Sequence, residues 1–255
     1  MRLAVCIHGI VGGKKGKDNA GGALDIHELF SHFRDNVIAA NEGDFEKIDV
    51  FIHSWSVDQK DSILSLYDPT SHVIENQIVF EGVSQEDQRR FSKFYSLYKS
   101  INMCEKYCND DIILSCRFDM FYNKQLKIND IIAENSQKAR VYFPGDNPEW
   151  NTLYDDSKRL ADDFIIGKKG DIFDFFSNDA KKNLDNRMLN RAPSVLNPRP
   201  HRNGLDNHHI VFSIFQENIK QIEIVRLSEY TSRVDLIPFR ESHKLKSESS
   251  NTRII

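Results

Sequence analysis

Three short apolar runs, each rich in β-branched residues and separated by helix-patterned segments, constrain this chain more than any other feature. They are RLAVCIHGI at residues 2–10, DVFIHSW at 49–55 and DIILSCR at 111–117. Each has the length and composition of a buried strand. Between the first two, residues 25–40 place Ile26, Leu29, Phe30, Phe33, Val37 and Ile38 at helical spacing behind an Asp25 cap. Between the second and third, residues 85–107 carry Phe91, Phe94, Tyr95, Tyr98, Ile101, Met103 and Cys104 along one long helix. Such a stripe is more often core packing than a cofactor box. Strand, helix and strand in that order begin a βαβ unit, whose strands run parallel. The pattern therefore predicts one α/β domain with a mostly parallel central sheet flanked by helices. Its strands should include residues near 3–7, 49–53, 112–116 and 222–226.

The remaining punctuation fills in that plan. Asp68-Pro69 reads as a turn, followed by a short strand around residues 78–80. Residues 126–139 are predicted helical and RVYFP at 140–144 a strand. The apolar run Phe164-Ile165-Ile166 is stopped by Gly167, and residues 171–178 continue as a helix. Residues 145–156 are turn-rich. Residues 180–205 hold three of the seven prolines and read as a long loop or lid. A helix with His208 and His209 is expected over 205–217, then a strand at 221–227. No linker divides the chain, so residues 1–239 form the expected domain and the charged stretch 240–255 a tail.

Composition narrows the class. The 255 residues are 40% hydrophobic, with seventeen Phe to fill a core. A net charge of −4 supplies no global basic field, which argues against a nucleic-acid partner. Cys6 and Cys116 lie in strand-like runs. Cys104 and Cys108 lie four apart without a second pair to complete a zinc site. That usage fits a reducing compartment and a fold without disulfides. No signal peptide is legible and no stretch reaches the length of a membrane span, so the expectation is a soluble, cytoplasmic protein. Docking at the inner face of a membrane through a partner stays compatible with it.

The chemistry gathers at the end of the third run. Arg117 and Asp119 are two residues apart, so on an extended segment they project together from a strand end. In open α/β sheets ligands bind at that edge. An aspartate there can hold a divalent cation that neutralises a diphosphate; the plainer reading is an ion pair facing solvent. After the first run, VGGKKGKDNAGG offers glycines and lysines but no Walker loop, and a surface loop explains it equally well. Asp49 precedes the second strand and His53 lies near its far end, where a lone His is usually structural. Asp162 and Asp163 stand together before Phe164. Paired carboxylates near a site can leave one available as a base, although a solvated acidic turn is common.

Taken together, RLAVCIHGI, DVFIHSW, SCRFDMFY, LADDFIIGKKGDIFDFF and HRNGLDNHHIVFSIFQENIKQIEIVRL resemble a GT-A-type glycosyltransferase of the kind that builds bacterial surface polysaccharides. The resemblance spans most of residues 1–235 and implies a Rossmann-like GT-A domain. It implies transfer of a sugar from a nucleotide-diphosphate donor onto a hydroxyl of a glycan or lipid-linked acceptor. His8, Gly9, Val11, Asp49 and His53 would then sit by the nucleotide. Asp119 would hold the diphosphate through Mg²⁺ or Mn²⁺ with Arg117 adding positive charge. Asp163, or Asp162, would orient or deprotonate the acceptor. The departure is Arg117, which stands where a DxD motif has its first Asp and puts the metal in doubt. Two other readings share these residues: transfer of another phosphate-linked group onto a glycan, and a catalytically silent nucleotide-binding or assembly module.

Overall fold

The computed structural model describes residues 1–11, 24–81, 85–107, 111–132, 138–145, 163–176, 222–231 and 236–238. The three apolar runs are strands β1 (Arg2–Gly9), β2 (Lys47–Ser54) and β4 (Ile112–Arg117). All three are almost continuously buried, as strands covered on both faces must be. Between β1 and β2 runs α1 (Ile26–Phe33), capped by the Asp25 carboxylate, which accepts from the His27 and Glu28 amides. Helix α2 (Lys60–Tyr67) ends in a left-handed Asp68 just before Pro69. The strand that follows is β3 (Ser71–Ile74), not residues 78–80, which belong to no strand. It was hard to read because SHVI lies on the sheet edge and is only half-buried, so it lacks an apolar run.

Helix α3 (Gln85–Tyr107) leads into β4, and the short strand β5 (Met120–Tyr122) follows directly. Then come α4 (Ile128–Ile132), β6 (Arg140–Gly145), β7 (Phe164–Lys168), α5 (Lys169–Phe175), β8 (Glu223–Thr231) and β9 (Leu236–Pro238). Gly167 does not stop the apolar run after Phe164 but lies inside β7. A side chain there would press to 3.0 Å on Ile172 and 3.2 Å on the Arg140 carbonyl, so glycine lets β7 approach α5 and β6 closely. The expected segments 145–156, 180–205, 205–217 and 240–255 lie almost wholly outside the described residues.

Among the described residues seven strands form one sheet in the order β3-β2-β1-β4-β7-β6-β8. All neighbours pair parallel except β7, which runs antiparallel to both β4 and β6. Strand alternation divides the core in two. Leu3, Val5 and Ile7 of β1 pack with α1 and α2 residues such as Leu29, Phe33 and Ile63. Ala4 and Cys6 pack with Phe94, Leu97 and Ile101 of α3 and Phe175 of α5 on the other face. The result is a three-layer α/β/α domain with a mostly parallel sheet. A separate two-stranded ribbon joins β5 to β9 in antiparallel register.

The strand order also fixes where a crevice opens. From β1 the chain winds outward to β2 and β3, then returns across β1 to place β4 on its other side. The winding reverses between β1 and β4, and the crevice outside the carboxyl ends at such a reversal is where open α/β sheets bind ligands.

Candidate active site at the winding reversal

The last register pair across the reversal is His8 with Arg117, and His8 also pairs with His53 on β2. Strand β7 runs the other way, so its start lies at this same edge. Cys116 pairs with Phe164, and one step further brings Asp163 beside Arg117. Asp163, Arg117, His8 and His53 therefore form a row across β7, β4, β1 and β2. By strand alternation they share the face covered by α3.

Arg117 is held from two sides. Its Nε and Nη2 donate to Asp119 Oδ1 and Oδ2 at 2.9 and 2.8 Å, a two-pronged carboxylate pair. Its Nη1 stands 3.5 Å from Asp163 Oδ1. Asp119 and Asp163 are each only 6% exposed. Burial works against the Arg117 charge, yet Asp119 and Asp163 outweigh it and hold the guanidinium more firmly protonated than a free one. A buried pair of this kind is poor evidence for stability, because desolvating the ions offsets much of their attraction.

Beside this cluster the turn after β1 is tightly determined. Gly9 has φ +105°, a conformation that glycine adopts freely. Its amide donates to Ser96 Oγ at 2.8 Å, and its carbonyl accepts from Ser54 Oγ at 3.0 Å and the Trp55 amide at 3.3 Å. The Val11 amide donates to Ser56 Oγ at 2.9 Å. Ser96 also lies 2.8 Å from His53 Nδ1, while His53 Nε2 lies 3.1 Å from Glu75 Oε1. Burial lowers the His53 pKa against the pull of Glu75. His53 thus belongs to the scaffold that shapes the turn. These serines were absent from the sequence reading. Ser92, Ser96 and Ser100 recur every four residues within the aromatic stripe of α3, and that spacing was the available signal.

His8 differs from its neighbours. It is 3% exposed, and its Nδ1 has no hydrogen-bond partner among the described residues. Burial, then Lys93 and Arg117, push its pKa well below the ordinary histidine value, with Asp119 pulling the other way. Burial therefore disfavours a positive charge on the ring.

Asp49 is not brought to this edge. It pairs with Ala4, four residues before His53 and therefore about 13 Å down the strand. Arg2 Nη2 reaches it at 2.8 Å, Lys47 Nζ at 2.6 Å, and Thr70 Oγ1 donates at 2.8 Å. Burial raises its pKa, but these three partners together hold it below the ordinary carboxylate value. Its oxygens are engaged by residues of the fold, away from the strand end that carries His53. Asp162 lies outside the described residues.

The donor set at Asp119 does not fit Mg²⁺ or Mn²⁺. Such cations take about six oxygen ligands, whereas both Asp119 oxygens are engaged by a guanidinium that repels a cation. Among the described residues no three His, Cys, Asp or Glu side chains converge on a metal position.

The sheet and its crevice define an α/β protein of doubly wound type. No family model matches the chain, and no curated protein matches it. One solved structure similar to it is the crystal structure of the galactosyltransferase LgtC in complex with donor and acceptor sugar analogs. That chain is 9% identical over 89% of this one and 73% of its own length, with a TM-score of 0.46. The α/β class rests on the strand order itself. Among the described residues no helix is long and apolar enough to cross a membrane.

Proposed function

We propose that this protein transfers a sugar from a nucleotide-diphosphate donor onto a hydroxyl of a glycan or lipid-linked acceptor. The observation that carries the reading is the buried Asp119–Arg117–Asp163 cluster at the winding reversal, where the scaffold exposes strand ends to a ligand. In this scheme Asp163 accepts the proton of the acceptor hydroxyl. The hydroxyl oxygen forms its bond to the anomeric carbon as the bond from that carbon to the phosphate oxygen breaks. The electron pair leaves with the nucleoside diphosphate. A positioned carboxylate base contributes typically 10²–10⁴-fold. Arg117 keeps its charge beside both carboxylates and orients them. The turn at Gly9–Val11, pinned by Ser54, Ser56 and Ser96, gives the donor a preformed wall.

The test is a panel of nucleotide sugars scored for thermal stabilisation and for consumption with an added glycan acceptor. A ligand that binds only the folded state raises Tm by mass action. At least one donor should do so and be turned over. If none stabilises the protein and none is consumed, the reading is wrong.

A further inference from the structure

The donor set at Asp119 leaves a diphosphate without its expected metal counter-ion, and the crevice offers something else in its place. A buried nitrogen with no partner is costly, and a native fold retains one where a ligand or water completes it. His8 Nδ1 is such a nitrogen, and it sits on β1 at the reversal, next in register to Arg117. Helix α3 lies over this edge, as the contact from the Gly9 amide to Ser96 Oγ shows. Lys93 precedes Ser96 by three residues, so it shares that helix face one turn further on.

The charges agree with the geometry. At the His8 ring the two largest Coulomb effects come from Lys93 and Arg117. Each disfavours a positive ring, and each exceeds the opposing effect of Asp119. At the ring Lys93 and Arg117 therefore outweigh Asp119, which favours a neutral imidazole there. A neutral imidazole with its proton on Nδ1 is a donor suited to an anionic oxygen.

We propose that His8, Lys93 and Arg117 form an oxyanion subsite that binds a diphosphate group without a metal ion. This rests on the donor reading above and specifies how that donor is held. His8 Nδ1–H donates to one phosphate oxygen. Lys93 supplies charge from the helix and Arg117 from the strand. A bound diphosphate also satisfies a buried nitrogen that has no hydrogen-bond partner among the described residues.

The experiment is calorimetric titration of the full chain with inorganic pyrophosphate in EDTA, repeated with excess Mg²⁺. Pyrophosphate should bind in EDTA, and Mg²⁺ should not be required. Lys93→Gln and His8→Asn should each weaken binding by roughly tenfold or more, the loss expected for a hydrogen bond to a charged group. Lys99→Gln is the control for a lost helix charge, since Lys99 lies over the Tyr95 ring, and its affinity should match the parent. Lys93 is only partly buried, so its variant keeps the test sound if His8→Asn fails to fold. Binding that needs Mg²⁺, no binding at all, or unchanged affinity in Lys93→Gln would overturn the subsite. Turnover of nucleotide sugars is measured on the same samples. Transfer that depends on added metal leaves the transferase reading standing and removes the subsite. Metal-free pyrophosphate binding without turnover of any donor does the reverse.

Discussion

Two buried aspartates on neighbouring parts of one sheet meet cations in opposite ways. Asp49, low on β2, is satisfied by Arg2, Lys47 and Thr70, so nothing about it is left for a ligand. Asp119, at the other end, shares one guanidinium with Asp163, beside a histidine nitrogen that has no partner among the described residues. Both clusters are anions locked to cations, and charge pairing alone would not tell them apart. What separates them is position relative to the winding reversal. The amino-end cluster lies away from the edge where open α/β sheets bind ligands, whereas the carboxyl-end cluster lies on it.

The largest expected effect tests the carboxyl-end cluster. Asp163→Ala should lower the rate of sugar transfer by about 10²–10⁴-fold, the range for losing a positioned base. Nucleotide affinity, followed by titration, should stay nearly intact. Loss of nucleotide binding instead would move Asp163 from the acceptor side to the donor side. Asp119→Asn should likewise abolish turnover per folded molecule, and near-normal turnover in that variant would remove Asp119 from the site.

Asp49→Asn should show the opposite pattern. Losing the charge that holds Arg2 and Lys47 should cost about 2 kcal/mol in urea unfolding, since both cations are partly exposed and screened. That corresponds to a fall in Tm of about 4–8 °C for a chain of this size. Activity per folded molecule should be unchanged. If activity falls while stability holds, the two clusters have been assigned the wrong way round.

A smaller effect is expected from the ribbon that follows Asp119. β5 begins one residue after it and is pinned by β9 through the pairs Met120–Pro238, Phe121–Ile237 and Tyr122–Leu236. Ending the chain at residue 235 should free this turn and cut turnover by about tenfold, because small misplacements of reacting groups are costly. Unfolding of the main sheet, followed by circular dichroism, should change little.

The smallest is a pH effect on the Asp49 cluster. A carboxylate whose folded pKa lies below its unfolded value of about 3.9 adds stability that is fully present above that value. The stability gap between the parent and Asp49→Asn should therefore be constant from pH 7 down to about 5 and shrink as pH falls further. A gap that widens on acidification would reverse the sign of the Asp49 shift.

Much of this contrast is legible in the sequence. β1, β2, β4, β6 and α3 follow from apolar runs and helical spacing, because burial on both faces leaves a strong local pattern. Arg117 and Asp119 stood out at a strand end for the same reason. The failures were of another kind. β3 is a half-buried edge strand and left no apolar run. The reversed direction of β7, which carries Asp163 to Arg117, is set by long-range pairing that no window of sequence records. Asp49 looked like a ligand residue because strand register decides which end of β2 it occupies, and its partners Arg2 and Thr70 are 47 and 21 residues away. The open nitrogen of His8 is an absence, which composition cannot display.

The β5–β9 ribbon bears on how the protein is made. The strands that frame the reversal, β1, β2, β3 and β4, are contiguous in sequence and adjacent in the sheet, so a nascent chain can assemble them early. The strap over the Asp119 turn comes from residues 236–238, more than a hundred residues later. During synthesis the polypeptide thus passes through a stage with the framework formed and the turn unpinned. On the ribosome the competent crevice matures only once residues 236–238 have emerged, which delays contact with substrate until then.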